Sequence, residues 1–201
     1  MRTLSFLLIF VISNVFTALS QTLYTDGARL TADSITYAVE TKFNVFFSLV
    51  NTQNTLCHQQ PIDLNGNVVP PEALEYELGE LDAESLRQAI TATFNQEELA
   101  ILGATKSGVR LILTKNNLGE LLEVEFAVYI NPVSLTIPIY KFELFEKNLK
   151  EYIRFYLSDF EKNLQFSHSS ILIRWERYAP NMLIDKNPDA EMLPDSLQVN
   201  P

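Results

Sequence analysis

Apolar and polar residues alternate over the region 35–50, as they do in a strand with one buried face. The odd positions carry mainly apolar residues, which are Ile35, Tyr37, Val39, Phe43, Val45, Phe47 and Leu49. The even positions carry polar residues, which include Thr36, Glu40, Lys42, Asn44 and Ser48. A period of two over this length predicts either one long strand or a pair of strands bent near Thr41 and Lys42.

The same alternation occurs twice between residues 108 and 128, in GVRLILTKNNLGELLEVEFAV. The two apolar faces consist of Val109, Leu111 and Leu113, and of Leu122, Val124, Phe126 and Val128. The polar segment between the runs contains Gly119, which suits a left-handed turn position, and a β-hairpin is predicted. The opposite face is polar except for Ile112, Leu121 and Ala127. We expect these three residues to form an interaction surface unless strands from the 35–50 region cover them.

Helices are predicted where apolar residues recur every three or four positions. Asp82 suits the N-cap of a helix over residues 83–94, and a short helical piece after Asn95 stops at Gly103. The segment 141–157 forms one broad apolar stripe, made by Phe142, Phe145, Leu149, Tyr152, Ile153 and Tyr156. Alternation over residues 170–177 predicts a last strand.

These elements predict a single α+β domain over residues 21–178. We expect an antiparallel or mixed sheet packed against the long helix 141–157 and the shorter helix 83–94. The final residues, 179–201, hold four of the nine prolines and several acids. That composition predicts an extended, mobile tail.

The first twenty residues are typical of an export signal. They combine a positive charge at Arg2, an apolar stretch centred on Phe6–Ile12, and the small-x-small sequence ALS at positions 18–20. A retained membrane anchor is the alternative, but polar residues 13 and 14 leave the stretch short of the roughly 20 apolar residues that span a bilayer. We therefore expect cleavage before Gln21 and a soluble protein in the periplasm or outside the cell.

The charge of the chain excludes one class of partner. The formal net charge is −10, and removal of the positive Arg2 with the signal makes it −11. Phosphate backbones repel such a chain, so nucleic-acid binding is not expected. The absence of any Asn-x-Ser/Thr sequon favours a bacterial protein over a glycosylated eukaryotic one.

The sequence contains none of the common catalytic motifs. It lacks a G-x-S-x-G elbow, a glycine-rich phosphate loop, an H-E-x-x-H motif, paired C-x-x-C motifs and a dinucleotide fingerprint. Cys57 is the only cysteine, and we expect its neighbour His58 to point away from it, which disfavours a Cys/His nucleophile. The acids between residues 72 and 84 lack calcium spacing and a nearby histidine, and they indicate a solvated face. No metal or cofactor is expected.

The order from residue 82 onward, helix, hairpin, long helix and strand, resembles the C-terminal domain of the TonB family. The segments "TKNNLGELLEVEF" and "FELFEKNLKEYI" are also similar to small uncharacterised exported proteins of Bacteroidetes. The resemblance covers about half of the mature chain. The chain differs from a TonB energy transducer in three ways. Its N-terminal segment is expected to be cleaved and not kept in the membrane, and residues 22–60 are strand-forming where a transducer has a proline-rich spacer. No Tyr-Pro pair precedes the first helix. The resemblance therefore implies an open sheet edge able to bind an extended peptide, but not energy transduction.

The function predicted from these features is an exported, non-enzymatic binding or interaction module of the cell envelope. Its partner would be another envelope or secreted protein. The alternative is a hydrolase of glycan or peptide that uses two converging carboxylates, because such a pair leaves no linear signature. Its acids would come from the stretch 72–84 or from Glu40, Glu123 and Glu125.

Overall fold

The computed structural model describes residues 24–70 and 79–180. The expected signal sequence 1–20 and the tail beyond residue 180 lie outside the described residues. The strands are β1 (Arg29–Thr31), β2 (Thr36–Lys42), β3 (Phe46–Asn51), β4 (Glu80–Leu81), β5 (Gly108–Asn116), β6 (Leu121–Tyr129), β7 (Phe155–Tyr156) and β8 (Phe166–Arg174). The helices are α1 (Ala83–Thr93), α2 (Gln96–Ala104) and α3 (Ile139–Tyr152). In the described part of the chain, no helix has the length and apolar character needed to cross a membrane.

Six of the strands form one antiparallel sheet in the order β1-β2-β3-β6-β5-β8. Three helices accompany the sheet, and the predicted α+β fold with an antiparallel sheet is confirmed. Strand β3 pairs with β6, so the strands of the 35–50 region extend the sheet sideways instead of covering the hairpin β5–β6. The two short strands β4 and β7 pair with each other outside this sheet.

The 35–50 region is a hairpin, as the second of the two predicted arrangements requires. Phe43 and Asn44 connect β2 to β3 with φ angles of 56° and 54°, and the Val45 amide donates to the Lys42 carbonyl at 3.2 Å. Two successive left-handed residues match the twist of the strands that they join, as in a type I′ turn. The bend therefore lies at Phe43 and Asn44, two residues beyond the predicted position at Thr41 and Lys42.

The helices cover one face of the sheet and enclose the core with it. Phe126 of β6 contacts Phe142 and Phe145 of α3, with ring centroids 5.4 Å and 5.7 Å apart. Phe94, which ends α1, packs against Phe145 at 5.5 Å and against Trp175 at 5.2 Å. Such aromatic pairs add roughly 0.5–1.5 kcal/mol each beyond the area that they bury. Apart from Leu122 and Tyr156, which lie outside the core, the apolar faces predicted for α1, β6 and α3 thus meet in a single core.

The long helix is shorter than the predicted range 141–157, because α3 begins at Ile139 and ends at Tyr152. Ile153 already has an extended backbone, with φ −60° and ψ 137°. Phe155 and Tyr156 then pair with Leu81 and Glu80 as strand β7. The apolar stripe continues past residue 152, but the chain there pairs with β4 and does not remain helical. The predicted C-terminal end of the helix, at residue 157, was therefore wrong.

The starts of the first two helices follow the predicted caps. The Asp82 carboxylate accepts the Ser85 amide at 2.9 Å at the start of α1. At the start of α2, the Asn95 side chain accepts the Glu98 amide, and the Glu98 carboxylate accepts the Asn95 amide, both at 2.9 Å. These bonds satisfy amides that have no partner inside the helix, so the local sequence alone determines where both helices begin.

A buried ion pair holds the connection after α3 against the sheet. Lys115 of β5 is fully buried, and its Nζ lies 2.8 Å from Glu161 Oε1. The ammonium also lies 4.6 Å from the centre of the Phe155 ring. Glu161 accepts the Gly79 amide at 2.6 Å through its other oxygen. One pair of charges therefore joins β5, the segment before β4 and the segment before β8.

Candidate functional site

The face of the sheet opposite the helices is open at its centre. Strand register places the side chains of this face in rows that cross five strands. One row contains Glu40, Ser48, Ala127, Arg110 and Leu172. The next row contains Ala38, Val50, Glu125, Ile112 and Ser170. Small, apolar and charged side chains therefore lie side by side on this surface.

A concavity with a volume of about 350 Å³ lies on this open face. Ser48 and Ala127 are neighbours in register and form its floor, since both are buried and short. The other lining residues are larger, and they are Lys42, Phe46, Arg110, Ile112, Glu125 and Tyr129. The surface dips because two short side chains are surrounded by long ones. Its volume is within the range of roughly 300–1,000 Å³ that is typical of ligand sites.

The structure separates the three residues expected to form the interaction surface. Ile112 and Ala127 line the concavity, but Leu121 belongs to the core cluster. The β5–β6 register shifts between Thr114 and Lys115, so that Leu121 pairs with the inward-facing Lys115. A bulge inserts one extra residue and reverses which face the following residue occupies. Simple alternation could not reveal that reversal.

The loop after β3 crosses the end of the open face, and Glu123 anchors it. The Glu123 carboxylate accepts the amides of three successive residues, Thr55 at 2.7 Å, Leu56 at 2.9 Å and Cys57 at 2.8 Å. Hydrogen bonds to a charged acceptor are stronger than neutral ones. The position of the loop is therefore determined by a side chain of β6.

His168 of β8 holds the other end of this loop. Its Nε2 lies 2.9 Å from the Gln59 carbonyl, and its Nδ1 lies 3.0 Å from Thr114 Oγ1. A carbonyl only accepts, so Nε2 carries the proton and, in the neutral ring, Nδ1 accepts from the threonine hydroxyl. The loop thus has a second anchor on the same face, on the strand beyond β5.

Between these anchors, Cys57, His58 and Glu125 come together. A turn closed by the Gln59 amide and the Leu56 carbonyl, at 2.8 Å, contains the first two residues. One donor atom from each of Cys57, His58 and Glu125 lies within 4.8 Å of the others. The expectation that the side chains of Cys57 and His58 point apart was wrong, because a tight turn brings together side chains that an extended segment would separate.

The environment of Cys57 does not favour a nucleophilic thiolate. Burial raises the pKa of the thiol to about 11, and the charges of Glu123 and Glu125 contribute to this rise. Reactive cysteines require the opposite, a positive environment that stabilises the thiolate. A cysteine–histidine pair acting on a substrate is thus not supported in this surrounding.

Comparison with known proteins supports the fold. The chain matches no protein family profile and no curated protein. It is similar to the crystal structure of a DUF5043 family protein from Bacteroides uniformis, with 19% sequence identity and a TM-score of 0.60. The alignment covers 77% of this chain and 94% of that chain. The expected similarity to uncharacterised Bacteroidetes proteins is therefore confirmed for the fold.

Proposed function

We propose that the protein is an exported, non-enzymatic binding module of the cell envelope, and that its open sheet face binds another envelope or secreted protein. The observation that carries this proposal is the concavity over Ser48 and Ala127. The helices bury the opposite face of the same sheet, whereas the strands of the 35–50 region lie beside the hairpin. This arrangement leaves Ile112 and Ala127 available for contact with a partner.

The side chains around the concavity indicate the chemistry of that partner. Phe46, Ile112 and Tyr129 offer apolar contacts to a side chain inserted above the short floor residues. Lys42 and Arg110 are exposed cations in a chain whose net charge is −10. Charges that complement a partner determine orientation and association rate. We infer that the partner inserts an apolar side chain and places a carboxylate near Lys42 and Arg110.

The positions of the acids support binding better than hydrolysis. Glu123 and Glu125 lie on the same face of β6, but the Glu123 carboxylate accepts three backbone amides. Glu40 is exposed on β2, and β3 lies between it and β6. Hydrolysis needs two carboxyl groups free to act as acid and as base or nucleophile. A carboxylate held by amides that anchor a loop is poorly suited to either role.

Site-specific cross-linking in intact cells of the producing organism tests this proposal. A photoreactive amino acid replaces Ile112 within the concavity, and a matched control replaces Tyr140, which is 52% exposed on the helix side of the sheet. We expect a discrete cross-linked partner at position 112 that is absent at position 140. Ala127→Phe would fill the concavity and abolish that product while the thermal unfolding midpoint stays similar.

Two results would overturn the proposal. One is recovery of no partner at position 112 above the yield at position 140. The other is a cross-linked product that persists unchanged in Ala127→Phe, because a partner seated in the concavity cannot tolerate a phenyl ring in its floor. Once cross-linking has identified a partner, the purified partner is titrated against the protein. The double variant Lys42→Glu and Arg110→Glu should weaken binding by about tenfold or more, because the charges at the rim orient the complex.

A further inference from the structure

We propose that Cys57, His58 and Glu125 form a binding site for a divalent transition-metal ion, and that zinc is the ion best suited to it. One donor atom from each residue lies within 4.8 Å of the other two. This inference does not rest on the proposed partner, because it is argued from the turn at the end of the open face, although Glu125 also lines the concavity.

The donor set determines the class of metal. A thiolate, an imidazole and a carboxylate are the three ligand types that zinc accepts, whereas calcium and magnesium take oxygen ligands. In a tetrahedral zinc site with bonds of about 2.0–2.3 Å, neighbouring donor atoms lie roughly 3.3–3.6 Å apart. Since the three donors lie within 4.8 Å of one another, each pair needs to close by at most about 1.5 Å, and His58, the exposed member, has room to move. Three protein ligands leave the fourth position to water or to another donor.

Glu125 provides an independent indication of a ligand. Glu125 is only 4% exposed, and it lies on the face of β6 next to the turn that contains Cys57 and His58. None of the described residues donates a hydrogen bond to its carboxylate, in contrast to Glu123 two positions earlier. The Glu125 oxygens reach solvent in the concavity, and no described residue compensates their charge by a hydrogen bond or an ion pair. A metal ion bound by Cys57 and His58 would supply that compensation.

The surrounding hydrogen bonds hold the turn in the position that a metal site requires. Glu123 accepts the Cys57 amide at 2.8 Å on one side, and His168 donates to the Gln59 carbonyl at 2.9 Å on the other. Asn54 adds a bond from its side-chain amide to the Val124 carbonyl at 3.0 Å. Groups that orient ligands in this way contribute to metal affinity. The turn is therefore fixed over Glu125 before any ion arrives.

Titration of the mature protein with zinc tests the proposal. The protein is treated with chelator and reductant, and zinc chloride is then added in a calorimeter. We expect one ion per chain and a loss of affinity of about tenfold or more in each of Cys57→Ser, His58→Ala and Glu125→Gln. The matched control is Glu40→Gln, which removes an exposed acid from the same face of the sheet and should leave the affinity unchanged.

Two measurements on the wild-type chain do not depend on the folding of any variant. Cobalt should produce a thiolate-to-metal charge-transfer band, and one equivalent of zinc should slow alkylation of Cys57, the only thiol of the chain. Absence of stoichiometric binding would overturn the proposal. So would binding that leaves the alkylation rate unchanged, or that survives both Cys57→Ser and Glu125→Gln, because the ion would then occupy other surface groups.

Discussion

Glu123 is expected to be a structural anchor, whereas its neighbour Glu125 is not, and a pair of alanine variants distinguishes them. Both acids lie on the same face of β6 and are nearly buried, at 8% and 4% exposure. Glu123→Ala removes the acceptor of three amides, those of Thr55, Leu56 and Cys57. Glu125→Ala removes no hydrogen bond formed with the described residues. Burial is thus matched while hydrogen bonding differs.

The magnitude follows from the three bonds. A hydrogen bond to a charged group contributes about 1.5–3 kcal/mol net, so three would total roughly 4.5–9 kcal/mol if nothing replaced them. The loop is only partly buried, and water can solvate the released amides. We therefore expect Glu123→Ala to lower the free energy of unfolding by about 2–4 kcal/mol, a large share of the roughly 5–15 kcal/mol of a typical domain.

Urea unfolding and amide hydrogen exchange measure this difference on the metal-free protein. With a slope near 2 kcal/mol per molar, Glu123→Ala should lower the urea midpoint by about 1–2 M. The amides of Thr55, Leu56 and Cys57 should also lose their protection from exchange. Glu125→Ala should change stability by less than about 1 kcal/mol and leave these amides protected. Equal midpoints for the two variants, or protected amides in Glu123→Ala, would refute the anchoring role.

Three further perturbations test other parts of the fold. Lys115→Met leaves the Glu161 carboxylate buried without its cation and should lower the free energy of unfolding by about 3–5 kcal/mol. Adding Glu161→Leu should recover part of this loss. Strictly additive effects of the two substitutions on the urea midpoint would contradict the coupling. Replacing Phe43-Asn44 by Asn-Gly should raise the free energy of unfolding by about 1 kcal/mol, because both positions have a left-handed backbone that Asn and Gly adopt with less strain than Phe. An unchanged or lower melting temperature would count against the type I′ turn. Burial acts to raise the pKa of Glu143, but hydrogen bonds from Lys147 and Ser34 outweigh it and lower the pKa to about 2. This folded-state pKa lies below the unfolded value of about 4.3, so the ionised Glu143 stabilises the fold above that value, and the stabilisation is lost as the pH falls toward 2. The urea midpoint of Glu143→Gln should therefore depend less steeply on pH than that of the wild-type protein between about pH 5 and 2.

The elements that could be predicted are those whose signals lie within a few residues. Asp82 and Asn95 cap α1 and α2 with bonds to amides three positions ahead. The alternation predicts which side chains of β5, and of β6 from Val124 onward, face the core, because successive residues of a strand point to opposite faces. The aromatic stripe of α3 predicts the helix and its buried side. Its C-terminal end was not predictable, since it depends on pairing with Glu80 and Leu81.

The candidate site follows a different rule, because distant segments build it. The bulge near Thr114 and Lys115 moves Leu121 into the core, and no local residue type marks that bulge. The turn at Cys57 reaches Glu125 because Glu123 and His168, on the same face of the sheet, hold the loop at both ends. A period of two predicts that Glu123 and Glu125 share a face, but it does not reveal what crosses that face.

The sequence by itself determined the caps of α1 and α2, most of the apolar faces and the α+β class, because capping bonds and side-chain periodicity act over a few residues. The last strand, predicted over residues 170–177, instead runs from Phe166 to Arg174. Tertiary structure decided which face of the sheet stays open, since the neighbours of β6 and β5 come from β3 and β8. It also decided that Cys57, His58 and Glu125 meet. Their meeting depends on strand order and on a loop held by distant side chains, and neither leaves a local pattern in the chain.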